Sequence, residues 1–278
     1  MTSVTTLPIR FAQNTRPALV YALMIVVGVA AFLYPFWIPA DALPNSAHAG
    51  DAPLIAAAVA ALVVVAVALE VRRGTMNGAT VAVLGVLAAN AGLLRLLTLP
   101  GRGSGIFFLV VLAGAAFGPR FGMLLGFCAM AVSAIITGGI GPWLPFQMLA
   151  LAWIGACAGI VGLATSRLSA RSEVIVLAAF GWIVGLLYGA LMNLWFWPFQ
   201  RGGGDLSWEP GMGAATTIQH YWSFYVTTSF AWDAGVAMGN AILILLTGVV
   251  ILRTLRRFAH RLDPVVELEE LQPQAVRA

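Results

Sequence analysis

Long apolar runs divide this sequence and leave it few ways to fold. Most of them have the ~20 residues that an α-helix needs to cross the hydrocarbon of a bilayer. Sixty per cent of all residues are hydrophobic and only 9% are charged, too few for the surface of a soluble domain. The sequence therefore predicts an all-α polytopic membrane protein with eight transmembrane helices. The runs are residues 17–38, 52–71, 76–97, 104–118, 121–138, 145–166, 174–198 and 231–254.

Charge predicts how these helices are oriented. The fifteen basic residues are all arginines. With the N-terminus inside, only Arg95, Arg102 and Arg201 fall outside, as the positive-inside rule favours. This partition requires that the short run 104–118 crosses fully, and it places both termini in the cytoplasm. The arginines predicted to be cytoplasmic are Arg10, Arg16, Arg72, Arg73, Arg120, Arg167, Arg171, Arg253, Arg256, Arg257, Arg261 and Arg277.

The sequence lacks the residues that ATP hydrolysis, metal binding and histidine-based catalysis require. Without lysine the chain cannot form a P-loop, so any ATP-driven role needs a partner protein. Cys128 and Cys157 belong to no metal-binding cluster and are expected to be small buried hydrophobes. The three histidines, His48, His220 and His260, are scattered and form no catalytic pattern. We expect no catalytic residue, no metal and no cofactor.

The loop that joins two apolar helices within Gly118–Gly159 is the first candidate site. It reads TGGIGPWLPFQM and carries Trp143 and Gln147 to the mouth of the predicted bundle. Aromatic rings with a few polar groups suit a flat small molecule. An aromatic belt at the membrane interface explains Trp143 less well than it explains Trp195. We therefore predict that Trp143 and Gln147 contact a ligand.

The last two apolar runs supply the other candidates. Asp233, Ala237 and Asn240 share one face of the last helix, and that face is either a pocket wall or a helix–helix contact. Asp233 either contacts ligand or pairs with Arg95, whereas Glu70 is expected to pair locally with Arg72 and Arg73. The region 199–230 is expected to be a long loop that covers a site. The complete set of predicted ligand contacts is Trp143, Gln147, Asn193, Trp197, Tyr221, Trp222, Tyr225, Asp233 and Asn240.

From the third run onward, several blocks resemble the substrate-binding S component of energy-coupling factor (ECF) vitamin transporters. The fairly specific ones are FGPRFG and GPWLPFQM, within Phe107–Gly126 and Thr137–Met148. Further blocks are NAGLLRLL (Asn90–Leu97), DAGVAMGN (Asp233–Asn240) and LRTLRRFAHR (Leu252–Arg261). The GPWLPFQM version most resembles S components for cobalamin-related compounds.

The resemblance implies a six-helix bundle that binds a vitamin-like molecule from outside the bacterial cytoplasmic membrane. It also implies partners, namely a transmembrane T subunit and two cytoplasmic ATPases. Small residues on the family's first helix face the T subunit, which gives this role to Gly78, Ala82, Gly85 and Ala89. Two extra helices precede the bundle, and they must leave that surface free.

The expected organisation therefore has four parts. They are a tail at 1–16, an additional hairpin at 17–75, the S-component-like bundle at 76–262 and a second tail at 263–278. Two other functions stay open at this stage. One is a lipid- or isoprenoid-linked transferase that uses Asp205, Glu209 and Asp233; the other is a non-catalytic scaffold subunit.

Overall fold

The computed structural model describes residues 15–38, 47–48, 50–97, 104–200 and 202–262. The tails predicted at 1–16 and 263–278 therefore lie almost wholly outside the described residues, as do Arg102 and Arg201. The described residues form nine α-helices connected by short turns. These are α1 (Thr15–Leu33), α2 (Ala52–Arg72), α3 (Gly78–Leu94), α4 (Gly105–Phe117), α5 (Pro119–Thr137), α6 (Leu144–Thr165), α7 (Ala170–Phe196), α8 (Ala214–Thr228) and α9 (Phe230–Leu262).

The predicted all-α fold is confirmed for the described residues. Each of the eight apolar runs contains a helix, and six of these helices are long and apolar enough to cross a membrane. Helices α3 and α4 are shorter, with 17 and 13 residues. The region 199–230 was expected to be a loop, and that expectation was wrong because it contains α8.

The eight apolar helices run alternately up and down, which gives the molecule two different ends. We call one the arginine end, because α2, α4, α6 and α9 finish there among the described arginines of the predicted cytoplasmic set. The opposite end, where α1, α3, α5 and α7 finish, holds most tryptophans and is called the aromatic end. Among the described arginines, Arg95 lies at this second end, in the turn after α3.

Helix α4 is the centre of the bundle, which explains how so short a helix is accommodated. All of its residues are buried, and it packs against α3, α5, α6, α7 and α9. It ends at Gly118, whose φ of 94° is costly for any residue with a Cβ. Pro119 then starts α5, where its fixed φ suits a helix and its missing N–H costs nothing.

Glycines bring α4, α5 and α6 into backbone contact. A Cβ at Gly122 or Gly155 would collide with the backbone of the other residue, and one at Gly114 would collide with the Gly155 carbonyl. Gly126 meets the backbone of Ala152 in the same way. Helix association in lipid depends on close van der Waals packing, so small residues at this crossing hold the core together.

The N-terminal hairpin formed by α1 and α2 packs mainly on α6. Gly28 on α1 makes room for the Trp153 ring of α6. Glu70 also has partners beyond the predicted neighbours Arg72 and Arg73. Glu70 is fully buried, and its carboxylate accepts from the Tyr21 hydroxyl (3.2 Å) and faces the Arg120 guanidinium of α5 (3.5 Å).

A second buried carboxylate fixes the arginine end of α9. Arg256 donates through both terminal nitrogens to Glu173 at the start of α7, at 2.6 and 2.5 Å. Glu173 is 1% exposed and also accepts from the Thr165 hydroxyl of α6. Because both carboxylates are buried, removing one partner would strand a charge, so these contacts hold the helices in register.

Candidate substrate-binding site

The loop between α5 and α6 places Trp143 at the aromatic end, as the sequence predicts. Gly138 adopts a left-handed conformation (φ 65°) and ends α5. The Trp143 indole donates to the Gly139 carbonyl at 3.2 Å, which keeps the loop tight. Its ring stays partly exposed and meets the Trp195 ring of α7 edge-on, with centroids 6.4 Å apart.

Gln147 lies one turn into α6, where its backbone N–H is bonded to the Trp143 carbonyl. Its side chain is half-buried, and the Oε1 atom is buried without a hydrogen-bond partner. A buried amide oxygen that accepts nothing is costly. This cost disappears if a bound molecule donates to it.

A group of rings around Phe146 connects this loop to the N-terminal hairpin. We call it the His48 cluster and define it as His48, Phe146, Trp195 and Phe199. The imidazole of His48 lies 4.4 Å from the Phe146 ring, 4.7 Å from Phe199 and 5.9 Å from Trp195, measured between centroids. His48 comes from the turn before α2 and is fully buried.

Two hairpin side chains hold His48 in place. Its Nδ1 atom is 2.7 Å from Asp51 Oδ2, which also accepts from the Tyr34 hydroxyl at 2.6 Å. Burial lowers the pKa of His48, and the nearby Asp51 opposes this only in part. Burial acts to raise the pKa of Asp51, but the hydrogen bonds from His48 and Tyr34 outweigh it and lower that pKa. The pair is therefore a neutral imidazole beside a carboxylate.

Trp197 belongs to a second aromatic group that has a packing role. It is fully buried, and its indole donates to the Leu206 carbonyl at 2.9 Å. Its ring contacts Phe36 of the hairpin, Tyr221 and Phe224. These contacts use the polar and apolar parts of the side chain to anchor the segment before α8.

Helix α8 packs against α9, and two of its tyrosines reach α7. The Tyr221 hydroxyl donates to the Ala190 carbonyl, and the Tyr225 hydroxyl donates to the Leu186 carbonyl at 3.3 Å. Trp222 points away and is 61% exposed. Burial, followed by the charge of Asp233, raises the pKa of Tyr225 to about 12, so the tyrosine is neutral beside that carboxylate.

The polar face predicted on α9 meets a row of glycines on α7. Gly181, Gly185 and Gly189 would place a Cβ against Asn240, Ala237 and Asp233, respectively. Asn240 is 1% exposed and donates to the Gly181 carbonyl at 3.0 Å. Of the two interpretations left open by the sequence, the structure favours a helix–helix contact for Asn240.

The ion pair suggested between Arg95 and Asp233 is not among the ion pairs of the described residues. The Arg95 guanidinium contacts Met130 Sδ (3.0 Å) and Ser133 Oγ (3.4 Å) on α5 instead. Asp233 has a buried Oδ2 atom without a hydrogen-bond partner. Nearby, Asn193 accepts from the Ser229 hydroxyl and leaves its own Nδ2 atom unpartnered.

Unpartnered polar atoms are thus concentrated at the aromatic end. Buried polar groups in proteins are nearly always hydrogen-bonded, so their accumulation at one end indicates a place where something else binds. The atoms at this end are His48 Nε2, Ser104 Oγ, Gln147 Oε1, Asn193 Nδ2, Trp195 Nε1, Gln200 Oε1 and Asp233 Oδ2. Trp153 Nε1 and Asn240 Oδ1, farther along α6 and α9, are also without a partner. Sequence reasoning did not propose His48, Trp195 or Gln200 as candidate contacts.

Comparison with known proteins identifies the family. The family model of the ECF transporter substrate-specific component matches residues 79–248, more than half of the chain. The chain belongs to this family. No curated protein and no solved structure matches the sequence. The matched region begins at the start of α3, so α1 and α2 lie outside it, and it contains the α5–α6 loop and most of α9.

Membership makes the chain a substrate-binding subunit of an ECF transporter. Such a component acts with T and ATPase subunits and is a transport protein rather than an enzyme. Within the described ranges, no group of three or more His, Cys, Asp or Glu side chains could hold a metal ion.

The small residues of α3 occupy an uncovered face of this substrate-specific component. Gly78, Ala82 and Gly85 are exposed and Ala89 is half-buried. A Cβ at Gly78 or Gly85 would meet nothing within 4 Å. The opposite face of α3, with Leu84 and Ala88, is buried in the bundle, so the hairpin leaves the small-residue face free.

Proposed function

We propose that this subunit captures a vitamin-like small molecule at its aromatic end. The observation that carries the proposal is the set of unpartnered buried polar atoms among aromatic rings at that end. Trp143, Gln147, Asn193 and Asp233 are the proposed contacts from the originally predicted set. Trp197, Tyr221, Tyr225 and Asn240 then keep α7, α8 and α9 in place around the site.

The arginine distribution supports capture from outside the cell. Positive charge next to membrane helices favours the cytoplasmic side, and the described arginines are concentrated at one end. The eight apolar helices would then cross the bacterial cytoplasmic membrane with the aromatic end outside. Helix α4 can cross despite its 13 residues, since neighbouring helices shield its surface from lipid. Helix α3, with 17 residues, is at the lower limit of a full span.

Energy for uptake would come from a T subunit and two ATPases. The exposed small-residue face of α3 suits a close helix–helix contact, and we assign the T subunit to it. Cobalamin or a related compound is our candidate substrate, on the resemblance of the GPWLPFQM block. Its many amide groups suit the polar atoms that lie without partners among the aromatic rings.

The experiment is a binding titration on the purified chain without ATP or partner subunits. Cyanocobalamin, riboflavin, thiamine, biotin, folate and pantothenate are added separately while tryptophan fluorescence is recorded. We expect one of them to quench the fluorescence saturably with a dissociation constant below the micromolar range, because Trp143 and Trp195 lie at the site. Absence of binding by the whole panel would refute the proposed function.

A further inference from the structure

The turn of the N-terminal hairpin lies within the proposed substrate site, although α1 and α2 fall outside the family match. His48 is fully buried in the His48 cluster, yet it is supplied by the chain between α1 and α2. Its φ of 54° is unusual for a residue with a side chain. The hairpin is thus built to place this ring beside Phe146 and Trp195.

The hydrogen bonds of His48 determine which nitrogen is available. Nδ1 faces the Asp51 carboxylate at 2.7 Å, so it carries the proton of the neutral ring and donates it. Nε2 then carries the lone pair, and it is buried without a hydrogen bond of good geometry; the nearest backbone group that interacts with the ring is that of Trp195. Fixing one ring nitrogen through a carboxylate orients the other toward a ligand.

The unpartnered atoms around the His48 cluster are mostly acceptors. Gln147 Oε1 and Gln200 Oε1 accept hydrogen bonds, as Nε2 of His48 does, whereas Trp195 Nε1 donates. A molecule that satisfies this set needs several N–H or O–H donors. A carboxylate or phosphate has none and would meet acceptors.

We propose that His48 is a substrate-binding residue contributed by the hairpin, and that the substrate is a flat, donor-rich molecule without a recognised carboxylate. His48 Nε2 accepts a hydrogen bond from it, together with Gln147 and Gln200. The aromatic rings of Phe146 and Trp195 supply apolar contact. This inference rests on the proposed function and narrows its substrate class.

Paired substitutions at His48 test the proposal. Asparagine tolerates the left-handed conformation and can keep the bond to Asp51, but it places nothing at the Nε2 position. Glutamine places a polar atom near that position. Dissociation constants for cyanocobalamin, riboflavin and thiamine are measured by equilibrium dialysis, with biotin, folate and pantothenate as carboxylate probes.

We expect cyanocobalamin, riboflavin or thiamine to have the lowest dissociation constant of the six compounds. His48→Asn should weaken its binding about 10-fold or more, the scale of one buried hydrogen bond, and His48→Gln should stay within about 3-fold of the unmodified protein. Arg72→Gln is the control, because it alters an exposed residue at the other end of the same hairpin and should leave binding unchanged. Thermal stability of each variant is recorded alongside.

Three results would overturn the inference. If His48→Asn binds with the affinity of the unmodified protein, His48 does not contact the substrate. Equal losses in the asparagine and glutamine variants, with lowered stability, would assign the ring to packing alone. Tightest binding of biotin, folate or pantothenate would contradict the substrate class while leaving the proposed function intact, whereas binding of no probe would refute both.

Discussion

At the scale of single residues, hydrogen bonding and exposure together distinguish candidate ligand contacts from packing residues. Asn240 and Asp233 share a helix face, and each keeps a buried oxygen without a partner, but Asn240 is also held by its hydrogen bond to the Gly181 carbonyl. Trp143 and Trp197 are both tryptophans of the aromatic end, but the Trp197 side chain is fully buried. Sequence spacing places these residues near one another and cannot decide which of them is satisfied internally.

Asp233→Asn should weaken substrate binding by about 1–3 kcal/mol, the scale of one charge-assisted hydrogen bond in a buried site. The thermal stability of the ligand-free protein should change little, because Asp233 makes no ion pair with Arg95. Arg95→Gln should change the stability of the ligand-free protein independently of Asp233→Asn. A double-mutant cycle on apo stability checks this, and a clear coupling between the two positions would contradict the contacts described for both.

At the scale of helices, much of the architecture could be predicted and some of it could not. Eight apolar runs predict eight helices because membrane length and composition are local properties. Helix α8 was missed because its mixture of threonine, glutamine and aromatic residues lacks a long apolar run. The partners of Glu70 and His48 were missed for another reason: Arg120, Phe146 and Trp195 lie far away in sequence, and only packing brings them together.

The contact between Glu70 and Arg120 is expected to fix the hairpin to the bundle. Glu70→Gln should lower the free energy of unfolding by roughly 3–5 kcal/mol, because it leaves the Arg120 charge partly buried without its carboxylate. Adding Arg120→Gln should recover part of the loss. Thermal denaturation in detergent measures both, with Arg72→Gln as the control, since Arg72 is the exposed neighbour that does not pair with Glu70. If Arg72→Gln lowers the free energy of unfolding as much as Glu70→Gln does, the result would contradict the Glu70–Arg120 contact and support pairing of Glu70 with Arg72 instead.

At the scale of the whole molecule, the account separates two surfaces. The proposed substrate contacts lie at the aromatic end, on α6, α7, α9 and the hairpin turn. The proposed coupling surface is the small-residue face of α3, which the hairpin leaves open by packing on α6. The sequence resemblance named candidate residues for both surfaces, but alanine and glycine are frequent throughout the chain, and only the fold shows which of them are uncovered.

The most direct measurement compares binding and uptake in the same variants. Ala89→Leu should abolish uptake in cells that contain the T and ATPase subunits, because it wedges apart a close helix contact, while the purified variant binds substrate normally. Gln147→Leu should lose both activities, and Ala57→Leu on the exposed face of α2 should retain both. Intact uptake by Ala89→Leu, or lost uptake by Ala57→Leu with normal binding, would contradict the account and place the coupling surface elsewhere.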